Sequence, residues 1–294
     1  MKTSRLVLLT LFTAALLGAL GWYFWPQAEP QPAPGPVVRP VPHPPAIASA
    51  PVPSNDPPPV IQHPVQAIDT PPPRDRGLPA LGESDARLKE DLTTLVGRQN
   101  LLKFLLPDGF VRRVVVTVDN LGREHAAPSM WPVHPTPGRF VTLRQGEVEV
   151  VNPDNAQRYV PLLQFIESIN SRQAVQLYVS LYPLFQQAYV ELGYPKGYFN
   201  DRLVAVIDQL LATPVPEAPL AVELVEVKGP IPSERPWTRY QFIDEDLQAL
   251  AAGQKMLLRV GPANERRLKA KLLEVRKLLT RAALPSGAAS APRR

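Results

Sequence analysis

The side chains with the most chemical potential crowd into one stretch, "ELGYPKGYFNDRLVAVIDQLLATP", from Glu191 to Pro214. Tyr194, Lys196, Tyr198, Asn200, Asp201 and Arg202 bring phenol, ammonium, amide, carboxylate and guanidinium groups together there. Converging on one pocket, they make a candidate binding patch, able to hold a polar ligand by hydrogen bonds and ion pairs. A catalytic alternative uses the carboxylates of Glu191, Asp201 and Asp208 as acid and base in a hydrolase or transferase acting on cell-wall glycan or peptide. That chemistry needs two carboxyl groups about 5 to 10 Å apart, at least one with a shifted pKa.

A structural reading accounts for most of the same residues. Gly193 suits the left-handed position that ends a helix. Tyr194 is held extended by Pro195, and Lys196-Gly197 completes a turn. Asn200 or a neighbour then caps the next helix, with Asp201 at its positive end. Tyr194, Tyr198 and Phe199 pack the junction. Joint and pocket stand as alternatives.

Other reactive signatures are missing. The chain has no cysteine, which excludes disulfides, thiolate nucleophiles and thiolate metal sites. It has no G-x-S-x-G elbow and no H-E-x-x-H. "AAGQKM" lacks the upstream glycine of a phosphate loop, which leaves Lys255 an ordinary helix residue. His125 and His134 fall in a proline-rich loop without nearby carboxylate pairs, a poor setting for a metal. The expectation is a noncatalytic protein with no catalytic residue, metal site or cofactor.

The elements that must position these groups read as mainly helical. Ser84 is placed to cap a helix carrying Leu88, Leu92, Leu95, Leu102 and Leu106, stopped by "PDG". "FVRRVVVTVDNLG" alternates as a strand would but also repeats as a helix would, and its wide apolar face favours helix. "GRFVTLRQGEVEVVNP" predicts a hairpin turning at Gln145-Gly146. Two helical patterns follow from Asn155 to Leu192, the second interrupted by Pro183, where a kink or two abutting helices are expected. "LAVELVEV" and "TRYQF" predict a second strand pair. "DEDLQALAAGQKMLLRVG" reads as one helix stopped by Gly261. "NERRLKAKLLEVRKLLTRAA" reads as a basic amphipathic helix with Leu268, Leu272, Val275 and Leu279 as its apolar stripe. Its cations offer a surface for anionic lipid or phosphate, although a stripe packed on the domain with solvated cations explains the pattern as well.

Composition sets the rest. There are 37 prolines in 294 residues, far above the usual proportion of about 5%, and roughly half of them lie between Trp25 and Pro79. "MKTSRLVLLTLFTAALLGALGWYFWP" opens with Lys2 and Arg5, then runs uncharged for about 20 residues, enough for a helix to cross a bilayer. Leu6 and Leu17 would sit in the hydrocarbon, and Trp22 and Trp25 at headgroup depth. The positive-inside rule puts the N-terminus in the cytoplasm and the remainder across the inner membrane, in the periplasm. A signal peptide cleaved after Ala19-Leu20-Gly21 is the competing reading. The spacer is biased to polyproline II and spans about 160 Å fully extended or about 40 Å as a coil; His43 and His63 fall within it. A net charge of +5 permits weak attraction to anions, while the outward location argues against nucleic acid.

The strings "VVVTVDNLGRE", "MWPVHP", "YPLFQQAYVELGYPKGYFNDRLVAVIDQLLATP" and "AGQKMLLRVGPANERRLKAKLLEVR" resemble the bacterial family called domain of unknown function 3014, over roughly Leu81 to Leu279. The resemblance implies a membrane segment, a proline-rich spacer and a domain outside the cytoplasm, and it implies no reaction. The expected fold is mainly α with small β-hairpins (α+β), behind a single transmembrane helix and a proline-rich spacer. The divisions are 1–25 for the anchor, 26–80 for the linker, 81–283 for the domain and 284–294 for a disordered tail. The partners implied are the membrane and an envelope protein or cell-wall component, held by a noncatalytic binding or scaffold module.

Overall fold

The computed structural model describes residues 60–70, 77–225 and 235–280. All of them belong to one compact unit that begins at Pro57. The anchor residues Leu6, Leu17, Trp22 and Trp25, the spacer before Val60 and the C-terminal tail lie outside the described residues. Among the described residues no helix is long and apolar enough to cross a membrane.

The unit is mainly helical with one small antiparallel sheet, an α+β arrangement. Its helices are α1 (Asp85–Val96), α2 (Arg98–Phe104), α3 (Phe110–Leu121), α4 (Asn155–Ser168), α5 (Ser171–Glu191), α6 (Phe199–Leu211), α7 (Glu245–Ala249), α8 (Ala252–Arg259) and α9 (Pro262–Thr280). The strands are β1 (Thr142–Gln145), β2 (Val148–Val151), β3 (Ala221–Leu224) and β4 (Tyr240–Phe242), ordered β1-β2-β3-β4.

The ambiguous stretch at 110–121 is a helix, and the reason is burial. Val111 and Val115 are 1% and 0% exposed, and Val114, adjacent to Val115, packs against the same core, whereas a strand would send these two neighbours to opposite faces. They share a core with Leu181, Leu184 and Phe185 of α5 and Phe199 and Val204 of α6. Each such side chain contributes about 1.5–3 kcal/mol on burial.

Several boundaries differ from expectation. The helix expected from Leu88 to Leu106 is broken at Gly97, whose φ of 79 ends α1 and opens α2. Ser84 precedes α1, but its hydroxyl donates to the Leu81 carbonyl at 2.8 Å rather than capping. The hairpin turns at Gly146-Glu147, because Gln145 already pairs with Val148. The two predicted hairpins merge into one sheet through the pairing of Glu149 with Val222 and Val150 with Ala221. The single helix expected after Asp244 is two, α7 and α8, separated by extended Leu250 and Ala251. Lys255 is accordingly a buried structural residue, donating to the Gln248 carbonyl at 3.0 Å. Pro183 stays inside α5, which runs as one element because Leu181, Tyr182, Leu184 and Phe185 around it are all buried.

One segment counted with the spacer belongs to the core. Val65–Ala67 forms a short 3-10 turn, and Val65 and Ile68 join the main apolar cluster at 4% and 5% exposure.

Candidate functional site

Glu191 ends α5 and Phe199 begins α6, so the intervening loop must reverse the chain and satisfy the first N–H groups of α6. Gly193, at φ 113, starts the reversal, and the Gly197 N–H donates to the Tyr194 carbonyl at 3.0 Å to close it. A Cβ on Gly197 would lie 2.7 Å from the Tyr189 ring, so the turn closes against α5 only with glycine there. No side chain from the loop caps α6. Gln186 of α5 does that work: its Oε1 accepts from the Phe199 N–H at 2.9 Å and its Nε2 donates to the Gly197 carbonyl at 2.7 Å. Asn200, expected as a cap, is left free for other bonds, and it is fully buried.

Those bonds grip the strap at residues 60–68. Asp201 accepts from the Gln62 N–H at 3.0 Å and from the His63 N–H at 2.7 Å, one on each oxygen. Asn200 Nδ2 donates to the His63 carbonyl at 2.8 Å. The Val65 N–H donates to the Tyr198 hydroxyl at 2.9 Å. Tyr178 fixes the Asn200 amide by donating to its Oδ1 at 3.1 Å. Pro64, the residue skipped by this ladder, is the one without an N–H to offer. Three of the six candidate patch residues therefore hold a peptide, and the peptide is part of the same chain.

Tyr194 and Arg202 turn the other way, onto Asp119 of α3. This aspartate is 4% exposed. It accepts from Arg202 Nε and from the Tyr194 hydroxyl, each at 3.1 Å, and pairs with Arg123 at 2.8 Å. Arg202 also donates to the Asp119 backbone carbonyl at 2.7 Å, while Arg123 bonds the Tyr194 hydroxyl. Tyr189 and Tyr194 stack at 4.5 Å between centroids. Lys196 is exposed at the turn. The six residues thus fall into a strap clamp of Tyr198, Asn200 and Asp201, a buried knot joined by Tyr194 and Arg202, and Lys196 at the rim.

The electrostatics follow from these placements. Burial pushes the Tyr178 phenol well above its ordinary value, and burial likewise raises Tyr182 and Tyr189. These three phenols stay neutral around pH 7. Glu191 is bonded by Arg112 and Gln187, chiefly by Arg112, which holds its carboxyl below the usual range. Asp208 is held low first by its hydrogen bonds from Arg276, one of them 2.9 Å long. The three carboxylates considered for acid/base work thus have three separate partners: Arg112, the strap N–H groups and Arg276. Among the described residues no cluster of three or more potential ligands could hold a metal ion.

The basic helix α9 is occupied in a similar way. Arg267 pairs with Glu167 at 2.6 Å, Lys269 with the buried Glu265 at 2.9 Å, and Arg276 with Asp208. Lys271 donates to the Ile169 carbonyl at 2.6 Å. Leu268, Leu272, Val275 and Leu279 pack inward.

Reading the sequence missed Asp119, Gln186, Tyr178 and the strap. Asp119 carried a signal: it continues the four-residue spacing of Val111 and Val115, so α3 must bury an acid and something must pair with it. The strap carried a weaker one, two aliphatic residues three apart at Val65 and Ile68, submerged in prolines.

Taken together, fold and site define a helical α+β domain whose central helix junction clamps the segment leading into it. The profile of a family described as "Protein of unknown function (DUF3014)" matches residues 110–276, and the chain belongs to that family. The matched stretch contains the clamp and the Asp119 knot, but not the strap. No curated protein and no solved structure was found to match.

Proposed function

We propose that this chain is a single-pass inner-membrane protein whose periplasmic domain is a noncatalytic binding or scaffold module in the cell envelope. The observation that carries the reading is the clamp. Tyr198, Asn200 and Asp201, the groups best suited to bind a ligand or react, grip residues 62–65 within the proline-rich run. A domain anchored at that point stands off from the bilayer by the length of residues 26–61, about 33 Å on average as a coil. Supporting it, Glu191, Asp201 and Asp208 are held by separate partners and do not share an acid/base site. The partner is an envelope protein or cell-wall component met by the outward surface around Lys196.

The test is in-cell photocrosslinking from position 196 of the full chain, followed by separation of membrane and soluble fractions. The reading predicts a discrete crosslinked envelope protein or cell-wall fragment in the membrane fraction. Recovery of the chain in the soluble fraction, or of no specific adduct, overturns it.

A further inference from the structure

The clamp recognises a continuous peptide. Among the described residues its polar contacts with the strap fall on Gln62, His63 and Val65, and the strap's buried apolar residues are Val65 and Ile68. The ligand pattern is therefore two consecutive N–H donors, a proline, a valine, and an aliphatic residue three further on. Within residues 26–79, Pro-Val preceded by two donor residues occurs at 38–41, 49–52 and 62–65. The position three beyond the valine is Pro44, Asn55 and Ile68 respectively, so only the last carries the whole pattern. The match is sequence-encoded, and no contact in it requires the strap to come from the same chain.

We propose that copies of this chain exchange straps, the Val60–Ile68 segment of one copy occupying the Tyr198–Asn200–Asp201 clamp of another. The contacts made in trans are the ones seen in cis, so exchange costs little in contact energy and is decided by concentration. A short connection gives the strap of the same chain an effective concentration in the millimolar range. Confinement of many tethered copies to one plane raises the competing concentration, and here the proposal rests on the membrane-anchored reading above. The product is a scaffold in which each copy is latched to its neighbour through the nine-residue Val60–Ile68 strap.

The chain's lack of cysteine gives the test a clean background. His63 bonds the clamp through its backbone, its N–H lying 2.7 Å from Asp201 Oδ1. Exposed Ala205 lies between Asp201 and Asp208 on the same helical face, as spacings of four and three residues require. Cysteines at 63 and 205 are therefore about one helical turn apart across an occupied clamp, within the span of a short bismaleimide crosslinker.

Full-length H63C/A205C treated with a short bismaleimide should crosslink within the chain, and failure to do so overturns both the clamp and the exchange. Differently tagged H63C and A205C chains are then co-expressed, with E147C, at the hairpin tip, replacing H63C in the control pair. Exchange predicts several-fold more mixed crosslinked dimer from H63C with A205C than from the control, reduced to the control level when Ile68→Asp is added to the H63C chain. Equal dimer yields from the two pairs overturn exchange while leaving the clamp intact. Fractionation of the same cells reports separately on the membrane anchor.

Discussion

Asp119 and Asp201 lie on helices that pack together, yet they differ in what their loss would expose. Asp119 is buried against two guanidiniums and a phenol, and removing its carboxylate leaves Arg202 with the backbone carbonyl at 119 and Tyr194 with Arg123. Asp119→Ala is expected to cost about 3–5 kcal/mol, the usual effect of breaking a buried pair. Asp201 serves backbone N–H groups at the edge of the domain, where water can replace it. Asp201→Ala is expected to cost about 1–3 kcal/mol. Urea denaturation checks both, and equal losses would contradict the distinction. The buried phenols give a pH prediction. Tyr178 and Tyr182 have folded pKa values raised above the unfolded value, so the unfolded state loses protons first as pH rises past about 10. Stability is full below that pH and falls above it. Absorbance at the phenolate band should therefore change together with unfolding, and Tyr178→Phe should weaken the alkaline loss. At this scale the sequence named the right neighbourhood but not its division. The placement of Asp201 against one partner and Arg202 against another depends on which face of α6 each occupies relative to chains far away in sequence.

At the scale of elements, what was legible is what local physics decides. The stripe on α6, the turn at Gly193 to Gly197 and the strand pairs all follow from spacing and turn chemistry. What was not legible depends on distant contacts. Residues 110–121 were only partly legible: the wide apolar face favoured the helix that forms, while the burial that decides it comes from α5 and α6. The merging of two hairpins into one sheet is decided by the pairing of Glu149 and Val150 with residues 222 and 221. The break between α7 and α8 has a local sign in hindsight: Gln254 reaches back to the Ala251 N–H at 3.3 Å and also donates to the Gln209 carbonyl of α6 at 3.0 Å. Gly253 marks how closely α8 approaches. A Cβ there would meet Leu210 Cδ2 at 2.7 Å and the Leu121 carbonyl at 3.0 Å, whereas one on Gly82 would meet nothing within 4 Å. Gly253→Ala is expected to destabilise by about 1–3 kcal/mol through overpacking, and Gly82→Ala to be near neutral. Thermal unfolding of the two variants makes the comparison, and a similar effect from both would contradict the close approach.

For the molecule as a whole, the strap changes what the proline-rich region is. Proline content alone makes residues 26–80 a uniform spacer, because proline removes helix and ladder donors wherever it falls. Val65 and Ile68 are nonetheless enough to seat a short segment once Asp201, Asn200 and Tyr198 satisfy its backbone. The spacer thereby ends at a fixed point on the domain, beside the joint that the sequence singles out as its richest chemistry. Hydrogen exchange of the full-length chain reports whether this joint grips the strap. The amides of Gln62, His63 and Val65 should exchange far more slowly than those of a free peptide of the same residues. Asp201→Ala should restore fast exchange at Gln62 and His63 while Val111 and Val115 stay protected. Free-peptide rates at all three strap amides in the unsubstituted chain would contradict that grip.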